Sequence, residues 1–210
     1  MRHRYYSLLA AVVLLPGMAR AQMAEVYAGY KRTGIDLMWF RNFRYHNGQP
    51  THWLYFSRNR ASISSAQSPV LYGSTNAVSY NFANGLGLVG VTNWLATGVI
   101  PKAGVQYYKR SGNMMVFGWL VADLVRTGSI DAFVMWRFQP SITQTYKAFL
   151  QAELFPVYTP GTGNLNITQR IRLGARYHDW VAGPMADFNE SGREKLTLTV
   201  NAGLFLRYEF

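Results

Sequence analysis

From Leu196 to Phe210, water-avoiding and water-seeking side chains take turns. The even positions are Leu196, Leu198, Val200, Ala202, Leu204, Leu206, Tyr208 and Phe210; the odd ones are Thr197, Thr199, Asn201, Gly203, Phe205, Arg207 and Glu209, with one lapse at Phe205. A period of two places successive side chains on opposite faces of a β-strand, so the segment predicts a strand with one apolar face. The alternation recurs upstream. Leu165, Ile167, Ile171, Leu173, Ala175 and Tyr177 oppose Asn164, Asn166, Thr168, Arg170, Arg172 and Arg176, with Gln169 as the lapse. Ile130, Ala132, Val134, Trp136 and Phe138 oppose Asp131, Arg137 and Gln139, with Phe133 and Met135 as exceptions, and Tyr146, Ala148, Leu150, Ala152 and Leu154 oppose Lys147, Gln151 and Glu153.

No segment after Gln22 holds a helical period over three turns or reaches the apolar length of a membrane helix. Runs of roughly ten residues recur instead, each closed by Gly, Asn, Ser, Asp or Pro. They predict strands at Glu25–Lys31, Gly34–Arg44, His52–Ile63, Val70–Phe82, Leu86–Ala96, Lys102–Arg110, Asn113–Leu124, Ile130–Gln139, Gln144–Phe155, Leu165–Tyr177, Trp180–Phe188 and Glu194–Phe210. The intervening turns are HNGQP, ANG, VIP, SGN, RTGS, PSIT, YTPGTGN, HD and NESG, several with Gly or Asn placed for the positive φ of tight hairpins.

An alternating strand in a soluble protein turns its apolar face inward. Two features favour the inverse arrangement. These strands match a tilted membrane-crossing strand of about nine to eleven residues or more, and aromatic residues gather near strand ends. The groups are Trp39-Phe40, Trp53-Leu54-Tyr55, Trp94, Tyr107-Tyr108, Tyr177 with Trp180, and Tyr208.

The first residues add an export signal. Arg2 and Arg4 precede an apolar run from Ser7 to Leu15, and Ala19-Arg20-Ala21 offers small residues where a signal peptidase reads. A cleaved leader over residues 1–21 is therefore expected, followed by one domain over 22–210. The chain has no cysteine, so its stability has to come from something other than disulfides. With Arg2, Arg4 and Arg20 taken off the 21 basic residues, 18 face 10 acidic ones, about +8. That balance comes without a basic block or a zinc pattern, so no nucleic-acid partner is expected.

The alternate residues Leu204, Leu206, Tyr208 and Phe210 resemble the C-terminal signal of bacterial outer-membrane β-barrel proteins, which ends in an aromatic residue, usually Phe. The resemblance implies recognition of the last strand by the barrel-assembly machinery. It also implies a place in the Gram-negative outer membrane among its lipids, lipopolysaccharide included. The expected fold is all-β: a transmembrane antiparallel up-and-down barrel of about twelve strands, or ten if Glu25–Lys31 is not a strand and Val70 to Ala96 is divided wrongly. A single-chain barrel with both ends in the periplasm has an even strand number. NESG and YTPGTGN then lie outside, with Pro156 to Asn164 as the longest late loop, and HD, PSIT and SGN lie in the periplasm.

With apolar faces on lipid, the charged positions turn inward. Arg58, Arg60, Arg137, Lys147, Arg170, Arg172, Arg176, Lys195 and Arg207 would line the lumen with Asp36, Asp131, Glu153 and Glu209. Two readings stay open. A positive wall would draw small anionic solutes through a pore; a ladder of Arg–carboxylate pairs would instead fill a narrow barrel. Arg58 and Arg60 share a face of FSRNRASISS, either as a phosphate or carboxylate site near an extracellular mouth or paired with Asp36.

Catalysis is the weaker alternative. Outer-membrane lipid acyl hydrolases use Ser and His, and this chain offers His46, His52 and His178. Two of these fall at predicted periplasmic turns, and no GxSxG elbow occurs. No catalytic residue, metal site or cofactor is expected. The leading expectation is a monomeric channel for passive diffusion of small polar or anionic solutes; a likeness to twelve-stranded nucleoside channels rests on strand number alone. Its rival is a non-conducting structural or interaction barrel, with loops such as Ala66 to Thr75 touching surface partners.

Overall fold

A computed structural model describes residues 22–64, 70–95, 98–125 and 128–210. The expected leader lies outside the described residues. Twelve strands follow in order: β1 Met23–Gly29, β2 Arg32–Arg44, β3 Pro50–Ser64, β4 Leu71–Asn81, β5 Leu86–Leu95, β6 Gly98–Ser111, β7 Met114–Asp123, β8 Ile130–Phe138, β9 Tyr146–Thr159, β10 Asn164–Tyr177, β11 Trp180–Gly192 and β12 Thr197–Glu209. Each pairs antiparallel with its neighbours in sequence, and β1 pairs with β12 from Met23–Glu209 to Gly29–Gly203, closing the barrel. Closure removes both sheet edges, so the strand ladders satisfy backbone groups without help from water.

The faces sort as the alternation requires. Ile171, Val134 and Leu198 stand on the outside, Leu198 54% exposed, while Arg172 and Arg207 on the inner face are 2% and 1% exposed. Gln22 and Phe210 meet at one end of the barrel, where the Phe210 N–H donates to the Gln22 carbonyl at 3.2 Å. This is called the terminal end below, and the opposite one the far end. Exposed ring pairs mark the outside of the terminal end: Trp180 with Tyr208 at 4.9 Å, Tyr146 with Tyr177 at 5.1 Å and Trp53 with Tyr80 at 5.3 Å. Tyr30, Tyr72, Trp94 and Tyr158 stand exposed towards the far end. Of the aromatic residues expected at interfaces, Phe40 and Tyr108 turn inward instead and meet at 5.0 Å.

Several boundaries differ from expectation, chiefly because proline does not end these strands. VIP lies inside β6 and Pro156 inside β9, while Pro184 lies inside β11 as it does inside the expected strand Trp180–Phe188. Each proline lacks a donor, and the ladder gives way beside two of them. Pairs are missing at Ala132–Phe133 opposite Pro156, and at Leu173–Gly174 opposite Pro184. The loop expected at Pro156 to Asn164 shrinks to residues 160–163, and NESG becomes the end of β11. Of Ala66 to Thr75, residues 71–75 are strand and 66–69 lie outside the described residues. Gly112, at φ 53°, and His178, at φ 51°, each take the left-handed conformation in a two-residue turn.

Candidate functional site: the ion-paired lumen

The inward-facing side chains divide the lumen into two unlike halves. Along β3 to β8 an aromatic cluster dominates it: Phe56, Phe117, Trp119, Phe133 and Met135 are buried against one another, with Phe117 and Trp119 rings 5.4 Å apart, beside the buried polar pairs Lys102–Asp131 and Gln106–Asn81. This is where the lapses at Phe133 and Met135 belong. Phe205, the lapse in the last strand, packs inward with Tyr27, Phe149, Val181 and Met185.

The other half carries a belt of ion pairs that crosses the lumen. Arg58 on β3 is its centre. Its Nη2 lies 2.6 Å from Asp36 Oδ2 on the adjacent strand, and its Nη1 lies 2.9 Å from Glu153 Oε2 on β9, so this guanidinium ties two distant walls together. Arg60 Nε donates to Asp36 Oδ2 at 2.8 Å and Arg170 Nη1 to Glu153 Oε2 at 3.3 Å. Gln151 Nε2 donates to Glu153 Oε1 at 2.6 Å and its Oε1 accepts from Arg207 Nη1 at 2.8 Å. Arg207 Nε and Arg172 Nε then share Glu25, at 2.9 and 3.0 Å, and Arg172 Nη1 reaches Asp187 Oδ1 at 2.6 Å. Aromatic faces flank the same cations: Arg207 lies 4.7 Å from the Phe149 ring centre and 5.7 Å from that of Phe205. Charges this deeply buried persist because each is paired and further hydrogen-bonded.

Open vestibules lie on either side of the belt. The terminal-end cavity, of about 540 Å³, is lined by Arg41, Arg44, Arg110, Arg137, Lys147 and Arg176 against the side-chain carboxylate of Glu209. Arg137 Nη1 donates to Glu209 Oε1 at 3.2 Å, and Arg176 pairs with the other oxygen. Arg137 Nη2 is buried without a hydrogen-bond partner. The far-end cavity, of about 310 Å³, is lined by Lys31, Arg32, Arg60 and Arg170 against Asp187. Both vestibules are strongly basic.

The expected lumen residues therefore fall in three places. Arg58, Arg60, Arg170, Arg172, Arg207, Asp36 and Glu153 meet in the belt, with Arg58 at its centre rather than near a mouth. Arg137, Lys147, Arg176 and Glu209 line the terminal-end vestibule. Asp131 stands apart, paired with Lys102 Nζ at 2.6 Å. Lys195 is a correction: β12 begins only at Thr197, so this residue sits exposed in the turn before it and not on the lumenal face. Sequence reasoning passed over Glu25, Asp187 and Lys102. Glu25 had a signal, since Met23, Glu25 and Tyr27 alternate with Ala24 and Val26 on a short first strand.

Leu204 and Leu206 face outward on β12, beside Tyr208 and Phe210, whose rings meet at 4.7 Å. His46 and His178 occupy terminal-end turns, and His52 Nδ1 lies 2.9 Å from the Asn81 carbonyl. Among the described residues no three His, Asp or Glu side chains converge to hold a metal ion.

No family model matches the chain, and no curated protein matches it in sequence. Solved structures similar to it include a KdgM porin in complex with disordered oligogalacturonate, at 13% identity and a TM-score of 0.49 over 90% of this chain and 98% of that one. A second KdgM porin structure gives 13% and 0.48 over the same shares. The β domain of the Bordetella autotransporter BrkA gives 8% and 0.38, covering 90% of this chain and 97% of that one. At such distances the functional reading rests on this chain's own wall and lumen.

Proposed function

We propose that the protein is an outer-membrane β-barrel that passes small anionic solutes, with the Arg58 belt as its constriction. The observation that carries this reading is the charge of the two vestibules. Six cationic residues line one vestibule with Glu209 and four line the other with Asp187. Such a surplus concentrates anions at both mouths, and rings of like charge select what passes. The apolar exterior between aromatic bands supports placement in a bilayer. The outward row of Leu204, Leu206 and Tyr208, followed by Phe210, supports handling by the barrel-assembly machinery, and outer-membrane lipids, lipopolysaccharide among them, would cover the wall.

Purified protein in planar bilayers under a salt gradient tests this. The expected result is a small conductance with a reversal potential on the anion-selective side; a cation-selective channel would overturn the reading. A second reading has its own observation. The belt and the aromatic cluster leave Arg172 and Arg207 almost no exposure, as in a filled, non-conducting barrel. A silent bilayer from protein that is folded by its heat-modifiable gel mobility selects this second reading.

A further inference from the structure

Near mid-height, the outer wall on β3 to β5 has a region that does not suit hydrocarbon; a second outward polar pair, Gln169 with Glu190, lies on β10 and β11. On β3 and β4 the outward positions are Ser57 and Asn59, and Ser74 and Asn76, where the rest of the barrel presents residues such as Leu173, Val134 and Leu204. Thr92 continues this patch onto β5. Asn76 lies midway between Tyr72 and Tyr80, which stand exposed towards opposite ends of the same strand. Four residues on each side, at about 3.3 Å per residue, place its carboxamide near mid-height of the crossing.

The patch is partly satisfied within itself. Asn59 Nδ2 donates to Ser57 Oγ at 3.3 Å and Asn76 Nδ2 to Ser74 Oγ at 3.1 Å, while the Tyr72 and Tyr55 hydroxyls donate to Asn59 Oδ1 and Asn76 Oδ1 at 3.2 and 3.1 Å. A carboxamide has two N–H donors, so each of these contacts uses only half of what the asparagine offers. Trp39, directly across from Ser57, holds its Nε1 donor buried with no partner. Lipid tails can satisfy none of these groups, and polar atoms without partners in hydrocarbon are costly.

We propose that this patch is the face through which two copies of the chain associate in the bilayer, about a twofold axis. The occupant follows from the chemistry of the patch. Asn59, Asn76 and Thr92, the partly exposed members of the patch beside the buried Ser57 and Ser74, are uncharged and carry donor and acceptor together, so the same surface turned by a twofold supplies what it lacks, and no oppositely charged partner is called for. Small residues beside it allow close approach: Ala61 and Ala103 face outward, and a Cβ added at Gly90 would meet nothing within 4 Å. This replaces the monomer expected from the sequence, and it rests on the bilayer placement proposed above.

The chain has no cysteine, which makes a cross-linking test clean. Gly90→Cys lies beside the patch and Ile171→Cys on the opposite wall, both facing outward. Protein with each change is reconstituted into phospholipid vesicles, separated by flotation, and treated with a short bismaleimide. Failure to float refutes the membrane placement itself. In floated vesicles Gly90→Cys is expected to give a dimer of twice the chain mass, and Ile171→Cys none. Adding Asn59→Leu and Asn76→Leu should weaken self-association roughly tenfold, the scale of polar pairs between membrane segments, while heat-modifiable mobility shows the barrel intact. If that variant does not fold, Asn76→Leu with Thr92→Val takes its place. Equal cross-linking at both sites, a monomer throughout, or dimers that persist unchanged in the folded patch variants would each overturn the proposal.

Discussion

Replacing Arg58 with methionine removes a side chain that ties β2, β3 and β9 across the lumen. Arg58 contacts Asp36 at 2.6 Å and Glu153 at 2.9 Å, and both carboxylates are buried. Removing one partner of a buried pair costs about 3–5 kcal/mol, since the remaining charge is left without compensation. Here both carboxylates keep other partners: Asp36 retains Arg60 Nε at 2.8 Å, and Glu153 retains Gln151 Nε2 at 2.6 Å and Arg170 at 3.3 Å. The loss is therefore expected near the lower limit, about 3 kcal/mol, or roughly a hundredfold in the folding equilibrium. Urea unfolding from phospholipid vesicles, followed by tryptophan fluorescence, measures it. The same protein in planar bilayers should show a larger unitary conductance, because the transverse tie is gone. Adding Asp36→Asn and Glu153→Gln should recover most of the stability while keeping the wider pore. A variant within about 1 kcal/mol of the parent, the range of an exposed salt bridge, would refute the claim that the belt stabilises the barrel. A destabilised variant of unchanged conductance would refute the belt as the constriction.

Lys102→Met makes fewer contacts disappear yet should cost more, about 5 kcal/mol. Among the described residues it leaves Asp131 with the Asn93 amide at 3.5 Å, and the same vesicle titration compares the two variants directly. Arg44→Glu with Arg110→Glu alters the terminal-end vestibule without touching the belt, and should move the reversal potential away from anion selectivity at nearly unchanged stability. Gly203→Val strikes the closing seam, where a Cβ would stand 2.0 Å from the Ala28 carbonyl oxygen and 2.6 Å from Gly29 Cα. Overpacking there costs about 1–3 kcal/mol or more, read as a loss of the compact, heat-modifiable band on gels.

The period-two signal was most legible where the two faces of a strand differ most. On β10 the outward Ile171 and Leu173 contrast with the inward Arg170 and Arg172, and β12 is as clear apart from Phe205. On β3 and β4 the polarity is inverted for part of the strand: Ser57, Asn59, Ser74 and Asn76 face out while Phe56 and Ala77 face in. Alternation alone assigns such a stretch to the wrong faces, although the strands themselves remain evident from length and turn residues. The strand ends at Pro101 and Pro156 differ from expectation because proline reads as a stop, whereas a long closed ladder continues through it, losing two pairs at Pro156 and none at Pro101. The composition of the belt was only partly legible. Its residues announce themselves as inward charges, but which acid meets Arg58 depends on barrel diameter and stagger, and Glu153 is 95 residues away.

The division of the lumen explains why the belt can be narrow and still hold. On the aromatic side Phe56, two residues from Arg58 on the same face of β3, packs edge-on against Trp119 at 5.3 Å and lies 5.3 Å from Phe117. On the opposite side Phe149 and Phe205 cover Arg207. The ion pairs are thus walled from water laterally and open to it only towards the two vestibules. An apolar wall lowers the local dielectric and strengthens each pair, but it also makes any unpaired member expensive. That combination favours a constriction set by side chains on rigid strands, with no loop needed to close it. In the proposed channel, charge in the vestibules would govern which solutes arrive, and the pairing of Arg58 with Asp36 and Glu153 would govern how wide a path they meet.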